Sequence, residues 1–262
     1  MKTITSRDNR HIKECLKLKK RKYRDISGLF VVEGLKIIEE AQAASNLKIR
    51  YIFAEESVAL NYPLQDLGAE VFMVNSRLME EISNTDTPQG LVAIVEKPVW
   101  DITAIKNNAS LLVLLDGIAD PGNMGTIIRT AWAFGAGGIL LTNDCVDPFS
   151  PKVVRSTMGG IFNLPVFEDI TISDINDLKE SGFRLISSAV NVAASYYECD
   201  FTKPAIITIG NEAHGVSPEL LKKSDVLVTI PINPCVDSLN AGIACGIILS
   251  EVWKQKTSQA YC

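Results

Sequence analysis

IPINPCVDSLNAGIACGIILSE, Ile230 to Glu251, is the stretch whose reading decides the rest of the chain. A strand running to Ile230 is stopped by Pro231, and a loop broken again by Pro234 follows. Ser238-Leu239-Asn240 then opens a long apolar helix, since a Ser hydroxyl satisfies amides that the first helical turn leaves unpaired. Ile243, Ile247, Ile248 and Val252 recur along that helix at a spacing that puts them on one buried stripe. A strand, a polar loop and a buried helix in succession offer backbone donors and acceptors to a ligand, as many α/β proteins do.

Upstream, Leu111–Leu115 is a continuous apolar run, the pattern of a central parallel strand covered on both faces. A polar loop over Asp116 to Gly125, the helix Thr126–Phe134 and the strand Gly138–Leu141 follow. Ser150-Pro151 and Ser217-Pro218 each place a cap before a first-turn proline and so start helices. With strands at Arg184–Ser188, Ala205–Ile209 and Asp225–Ile230, the pattern predicts a predominantly parallel sheet over residues 111–262. Ligands in such sheets sit beyond the carboxyl ends of the strands. Three loops there, 116–125, 210–217 and 230–240, are rich in small and polar residues.

Residues 1–97 read as a smaller α/β unit: a helix from Asn9 to Lys22, a strand at Leu29–Val32 and a helix at Leu35–Ala44, then strands at Arg50–Ala54, Glu70–Val74 and Leu91–Val95. Lys97 to Ser110 holds Pro98 and lacks sustained periodicity, so 98–110 is expected to link the two domains.

Composition narrows the function classes. The chain has 262 residues, 47% of them hydrophobic, and a net charge of −5, enough for one large core or two modest ones. No apolar run is long enough to span a bilayer, and no apolar signal-peptide core stands at residue 1. Six cysteines without a CxxC pair, and two histidines, make no metal-ligand pattern. The thiols read as reduced and the protein as cytosolic. Cys262, being terminal, forms no prenylation box. Residues 1–24 carry ten Lys/Arg against Asp8 and Glu14, a balance of +8 that leaves −13 for the rest. A basic arm on an acidic body suits a selective polyanion contact, and a merely solvated helix face fits as well. The arm residues in question are Arg10, Lys13, Lys17, Lys20 and Arg21.

Two further segments carry chemistry. In DGIADPGNMGTIIRTAWAFGAGGILL, Asp116 to Leu141, no GxGxxG follows the strand, which disfavours a dinucleotide-dependent oxidoreductase. Asn123 and Gly125 instead precede Arg129 on a helix, a placement suited to gripping phosphate. In IITIGNEAHGVS, Ile206 to Ser217, Glu212 stands between Gly210 and Gly215, whose lack of side chains lets backbone approach a ligand. His214 reads as an exposed loop residue rather than a general base.

In order, Asn123-x-Gly125-x-x-x-Arg129, Gly210-x-Glu212-x-x-Gly215 and Ile230-Pro231 followed by Ser238-Leu239-Asn240 resemble the SpoU family of RNA 2′-O-ribose methyltransferases, in the SPOUT superfamily. The likeness extends over DPFSPKVVRSTMGGIFNLPV, Asp147 to Val166, and over FVVEG and PQGLVA, Phe30–Gly34 and Pro88–Ala93, which resemble the family's small ribosomal-protein-like substrate-binding domain. Pro234 departs from the pattern, standing where the family usually has Gly. Cys235 is also unusual there and reads as a packed thiol.

The resemblance implies a C-terminal domain with a deep trefoil knot, an S-adenosylmethionine site at Gly210, Ile230, Leu239 and Gly215, and a homodimer formed through that domain. It implies methyl transfer to a ribose 2′-hydroxyl by Arg129 with Asn123, Glu212, Ser238 and Asn240. Candidate RNA contacts are the basic arm, Arg155, and Ser150, which reads equally as a helix cap. An Arg side chain, with a pKa of about 12.5–13.8, is expected to clamp phosphate and alkoxide rather than act as a literal base. Ribosomal RNA of the large subunit is expected over transfer RNA, because the additional N-terminal domain resembles those of members acting on it. The other readings are a transfer-RNA methyltransferase and a non-catalytic RNA-binding module on a degenerate scaffold.

Overall fold

The computed structural model describes residues 1–190, 192 and 194–258, the side chain of Gln65 excepted; Cys262 lies outside the described residues. In chain order the elements are β1 (Lys2–Ile4), α1 (Arg10–Lys17), α2 (Arg21–Ser27), β2 (Leu29–Glu33), α3 (Leu35–Ala43), β3 (Ile49–Ala54), α4 (Glu56–Asn61), β4 (Glu70–Val74), α5 (Ser76–Ile82) and β5 (Leu91–Glu96). Then come α6 (Ile102–Asn108), β6 (Leu111–Asp116), α7 (Pro121–Ala133), β7 (Gly138–Leu141), α8 (Pro151–Ser156), α9 (Gly160–Asn163), β8 (Val166–Phe167) and α10 (Ile172–Glu180). The chain continues with β9 (Arg184–Ser188), β10 (Ala205–Gly210), α11 (Pro218–Lys223), β11 (Val226–Val228) and α12 (Ala241–Ser258). No described helix is long and apolar enough to cross a membrane.

The chain divides into two compact units, Met1–Val99 with Asp147–Asn163, and Trp100–Val146 with Leu164–Cys262. The sequence reading places 147–163 inside the second domain. The reason for the difference is local: Asp147 is ion-paired with buried Arg24, and the rings of Phe149 and Phe162 stand 5.1 and 6.3 Å from that of Phe30. The supposed linker contains a helix, α6, started by Asp101, whose carboxylate accepts from the Thr103 amide at 2.8 Å.

The first unit is built on a five-stranded sheet in the order β1-β4-β3-β5-β2, with β5 antiparallel to both neighbours. The expected helix from Asn9 to Lys22 is two helices. Asn9 caps α1, accepting from the His11 amide at 2.9 Å. The break comes where Arg24 Nη1 takes the Leu18 carbonyl at 2.6 Å. Lys19, counted among the ten basic residues of the arm, donates to the carbonyls of Glu81 and Ser83 at 2.8 and 2.7 Å and so closes the end of α5.

The second unit has a six-stranded, all-parallel sheet in the order β11-β9-β10-β6-β7-β8. Central β6 and β10 are buried apolar runs, which is why they are legible as strands. Gly210 pairs with Asp116, so the loops that follow β10 and β6 leave the sheet side by side. Beyond β6 the helix starts five residues earlier than expected. Asp120 is the N-cap, accepting from the Asn123 amide at 2.8 Å, and Pro121 holds the first position. Asn123 and Gly125 therefore belong to α7 rather than to the loop.

Helix α12 begins at Ala241, and its cap is Asn240 rather than Ser238. The Asn240 side-chain oxygen accepts from the amides of Gly242 and Ile243 at 2.9 and 3.2 Å. The helix packs on α7, where a Cβ on Gly242 would meet the Thr126 methyl at 3.0 Å and one on Gly246 the Thr130 methyl at 3.7 Å. Small residues one turn apart let the two helices approach closely.

Candidate functional site

A cavity of about 330 Å³ opens at the carboxyl end of the parallel sheet in the second unit. Its wall comes from Ser188–Val190 after β9, Ile209–Gly215 after β10, Val228–Ile230 and Ile232 after β11, and Asp237–Leu239 with Ala241 and Ala244 at the start of α12. Gly210, Gly215, Glu212, Ile230, Ser238 and Leu239 all line it; Asn123, Arg129 and Asn240 do not.

Gly210 explains how a tight loop follows β10. A Cβ there would lie 2.1 Å from the Gly215 carbonyl carbon and the Val216 nitrogen, too close for any side chain. Asn211 and Gly215 bridge their backbones in both directions, and Gly215 takes φ +71°, a conformation natural only to glycine. The Asn211 side chain fastens this loop to its neighbour by donating to the Gly117 carbonyl at 2.7 Å.

Pro234 is accommodated without strain to hydrogen bonding. It follows Asn233 in a turn closed by the Val236 amide on the Asn233 carbonyl at 2.9 Å, the position that suits proline because no amide donor is needed there. Cys235 is exposed in the same turn, so its expected role as a packed thiol is wrong. A turn tip leaves its side chain no apolar surface to pack against.

Beside the cavity three side chains, one from the first turn of α7, one from the loop after β10 and one from the cap of α12, form one chain of hydrogen bonds. Asn123 Nδ2 donates to Glu212 Oε1 at 2.8 Å, and Asn240 Nδ2 donates to Asn123 Oδ1 at 2.8 Å. A carboxylate only accepts, so Asn123 must turn its NH₂ to Glu212 and its oxygen to Asn240. Asn240 in turn has its oxygen left for the amides that open α12. Backbone amides of Ala119 and Asp120 approach Glu212 at 3.4 Å. Burial would push the Glu212 carboxyl up, but the Asn123 bond together with backbone amides holds it below the usual glutamate value.

The sign of that shift fixes a pH dependence. A depressed folded pKa contributes stability that is present above the unfolded value and lost as pH falls through the folded one. Thermal melting of the wild type should lose stability on the acid side of the ordinary glutamate range more steeply than Glu212→Gln does. Parallel curves would show that the carboxylate charge adds nothing to the relay.

The remaining expected site residues are more scattered. Arg129 is exposed on α7 with no hydrogen bond or ion pair among the described residues, roughly 120° around the helix from Asn123. It lies two turns into the helix rather than one, because α7 starts early. His214 is exposed and lines the cavity. In the first unit Arg10, Lys13, Lys17, Lys20 and Arg21 are all exposed; Lys13 meets Asp8 at 2.7 Å and Arg21 meets Asp25 at 3.6 Å. Ser150 precedes α8 without making a cap bond, its hydroxyl buried and unpartnered among the described residues, while Arg155 is exposed. Among the described residues no group of acids, thiols and imidazoles is placed to hold a metal.

Sequence reasoning missed Asp120, Asn211 and Asp237. Asp120-Pro121 is visible as a cap followed by a first-turn proline, the same signal that marks Ser150 and Ser217. Asn211 and Asp237 give none, since their places depend on how the loops close.

A sequence model of the SpoU rRNA Methylase family matches residues 110–250. The chain belongs to that family. Residues 9–93 match a second model, the MRM3-like substrate binding domain. The chain is similar to the 23S rRNA (guanosine(2553)-2′-O)-methyltransferase RlmP of Bacillus subtilis, at 29% identity covering 95% of this chain and 98% of that one. It is also similar to the crystal structure of an AdoMet-bound rRNA methyltransferase from Sinorhizobium meliloti, with a TM-score of 0.85, 32% identity and 97% of each chain covered.

A third relative overturns the expected compartment. Human rRNA methyltransferase 3, mitochondrial, is 27% identical over 93% of this chain and 71% of its own length. The name of that relative places it in the mitochondrion, so free cysteines and the lack of a membrane-spanning helix among the described residues do not tie this chain to the cytosol.

Proposed function

We propose that this protein transfers the methyl group of S-adenosylmethionine to a ribose 2′-hydroxyl of large-subunit ribosomal RNA. The observation that carries the reading is the Glu212–Asn123–Asn240 relay standing beside a cavity whose wall is largely backbone and apolar side chains. Its volume lies near the lower end of the roughly 300–1,000 Å³ usual for ligand sites. The cavity fits the cofactor: Gly210 keeps the wall free of a side chain, and Ile230 and Leu239 offer apolar cover for a flat purine.

When bound, S-adenosylmethionine supplies an electrophilic methyl on a sulfonium. The protein's own residues do the rest. Gly210, Gly215, Ile230 and Leu239 hold and shield the donor. Asn123 and Asn240, locked in orientation by Glu212, fix the start of α12 and with it the loop that carries Ser238. Arg129 meets the RNA phosphate and the negative charge growing on the 2′-oxygen. The ribose approaches from outside the cavity, so a residue that grips RNA need not line it. A knot through the loops at 210–217 and 230–240 is part of this reading, as the resemblance implies, and so is division of labour between residues 1–97 and 111–262.

The test is calorimetric titration with S-adenosylmethionine followed by single-turnover methylation of large-subunit RNA, with the product nucleoside identified. Absence of cofactor binding would favour the non-catalytic scaffold, and a methylated base in place of a methylated ribose would overturn the assignment.

The arm gives a second check. If Arg10, Lys13, Lys17, Lys20 and Arg21 meet phosphates, reversing their charges should weaken RNA binding and flatten its dependence on salt. The log–log slope should fall by about 0.7–0.9 for each phosphate no longer neutralised. Cofactor affinity should not move. An unchanged slope returns the arm to a solvated surface.

The protein is also expected to be a homodimer through the second unit. Helix α12 buries Ala241, Cys245, Ile248, Leu249 and Val252, yet Ile243 and Trp253 on it and Trp132 on α7 stay 56%, 45% and 43% exposed. Apolar side chains left over after one face is buried mark an association surface. A monomeric mass by light scattering in a fully active preparation would refute the dimer.

A further inference from the structure

Ionisable side chains are few on the cavity wall: Glu212, His214 and Asp237, with no Lys or Arg among the described residues lining it. Glu212 is engaged by Asn123 and the amides of Ala119 and Asp120. Asp237 is exposed and makes no hydrogen bond or ion pair among the described residues. It directly precedes Ser238 and lies three residues before Asn240, whose amide reaches Asn123. The unengaged negative charge thus stands on the cavity wall, in the loop that leads into Asn240 of the relay.

Resting on the cofactor reading above, we propose that Asp237 reads the positive charge of the methyl donor, so that the cavity distinguishes the sulfonium form from the neutral thioether left after transfer. Donor and product share the same adenosyl and amino-acid groups. Backbone and apolar contacts bind those groups alike in both and cannot tell them apart. The charge on sulfur is the main difference, and only a fixed opposite charge close to it converts that difference into affinity. Asp237 is exposed, so its attraction to a cation in the cavity is weakened, though not abolished, by water and salt. Methyl transfer removes the sulfonium charge, so the same residue that favours entry of the donor favours departure of the product.

The experiment is calorimetric titration of the full chain and of Asp237→Asn with three probes. S-adenosylmethionine carries the sulfonium, sinefungin replaces it with an amine-bearing carbon of the same charge, and S-adenosylhomocysteine is neutral at sulfur. Asp237→Asn should weaken the two cationic probes about tenfold and S-adenosylhomocysteine by less than about twofold, the former equal to about 1.4 kcal/mol. Asp237→Glu should keep the preference. Raising the salt concentration should narrow the preference of the wild type, a measurement that carries the test if Asp237→Asn does not fold. Equal weakening of all three probes would place Asp237 on the α-ammonium or in support of the loop, and overturn the proposal. So would unchanged affinities. Failure of the wild type to bind any of them would instead remove the cofactor reading itself.

Discussion

Arg129→Ala should lower the rate of methyl transfer roughly a hundredfold or more, the scale on which loss of one donor to a developing oxyanion is felt. The 2′-hydroxyl is a poor nucleophile, and negative charge grows on its oxygen as the new bond forms. A guanidinium held against that oxygen and the adjacent phosphate gains attraction as the charge appears, which lowers the barrier rather than tightening ground-state binding. The structure leaves Arg129 exposed with no partner of its own among the described residues, so its fork is not committed to another group. Arg129→Lys should rescue only partly, because a point charge does not reproduce two parallel donors. Affinity for S-adenosylmethionine should hold, since the cavity wall does not include Arg129. Single-turnover methylation at saturating cofactor, beside direct titration of each variant, separates the two effects. Near-normal turnover in Arg129→Ala would sink the assignment, and joint loss of turnover and cofactor binding would make Arg129 a prop of α7.

How far the sequence alone reaches depends on the length scale of each interaction. Buried parallel strands are apolar runs with no alternation to confuse them, and β6 and β10 are legible almost to the residue. Helix starts depend on which of several polar residues wins the cap. Pro121-Gly122-Asn123 looks like loop, yet Asp120 caps there, and α7 runs over residues that resemble a binding loop. The same ambiguity puts the start of α12 at Ser238 when the Asn240 oxygen takes the amides. The relay is legible only as motif spacing. Asn123 and Asn240 are 117 residues apart, and their contact exists because Gly242 and Gly246 let α12 close on Thr126 and Thr130 of α7. No local pattern encodes that approach. Charge counting fails differently, since it cannot see burial: it adds Lys19 and Arg24 to the basic arm's charge, whereas one closes a helix and the other is buried.

Arg24 is where that blindness has the largest energetic consequence, and Asp147→Ala should destabilise the first unit by about 3–5 kcal/mol. Arg24 and Asp147 have side chains only 4% and 5% exposed. The guanidinium gives Nε to Asp147 Oδ2 at 2.7 Å, Nη2 to the same oxygen, and Nη1 to the Leu18 carbonyl at 2.6 Å. The other carboxylate oxygen accepts from the Phe149 amide at 2.7 Å. Removing the acid strands a charge in an apolar setting and frees a buried amide, so the cost exceeds that of one lost bond. Arg24→Met should also destabilise, by leaving the carboxylate unpaired. The double variant Arg24→Met with Asp147→Leu should recover much of the loss, because neither charge then remains to be desolvated. Urea unfolding of the three variants makes a double-mutant cycle, and it should show strong coupling between the two positions. Since Asp147 ties Asp147–Asn163 to the first unit, Asp147→Ala should also make that segment more open to protease. A loss below about 1 kcal/mol for Asp147→Ala, or additive single effects, would mean that the aromatic packing of Phe149 and Phe162 on Phe30 holds the segment without the ion pair.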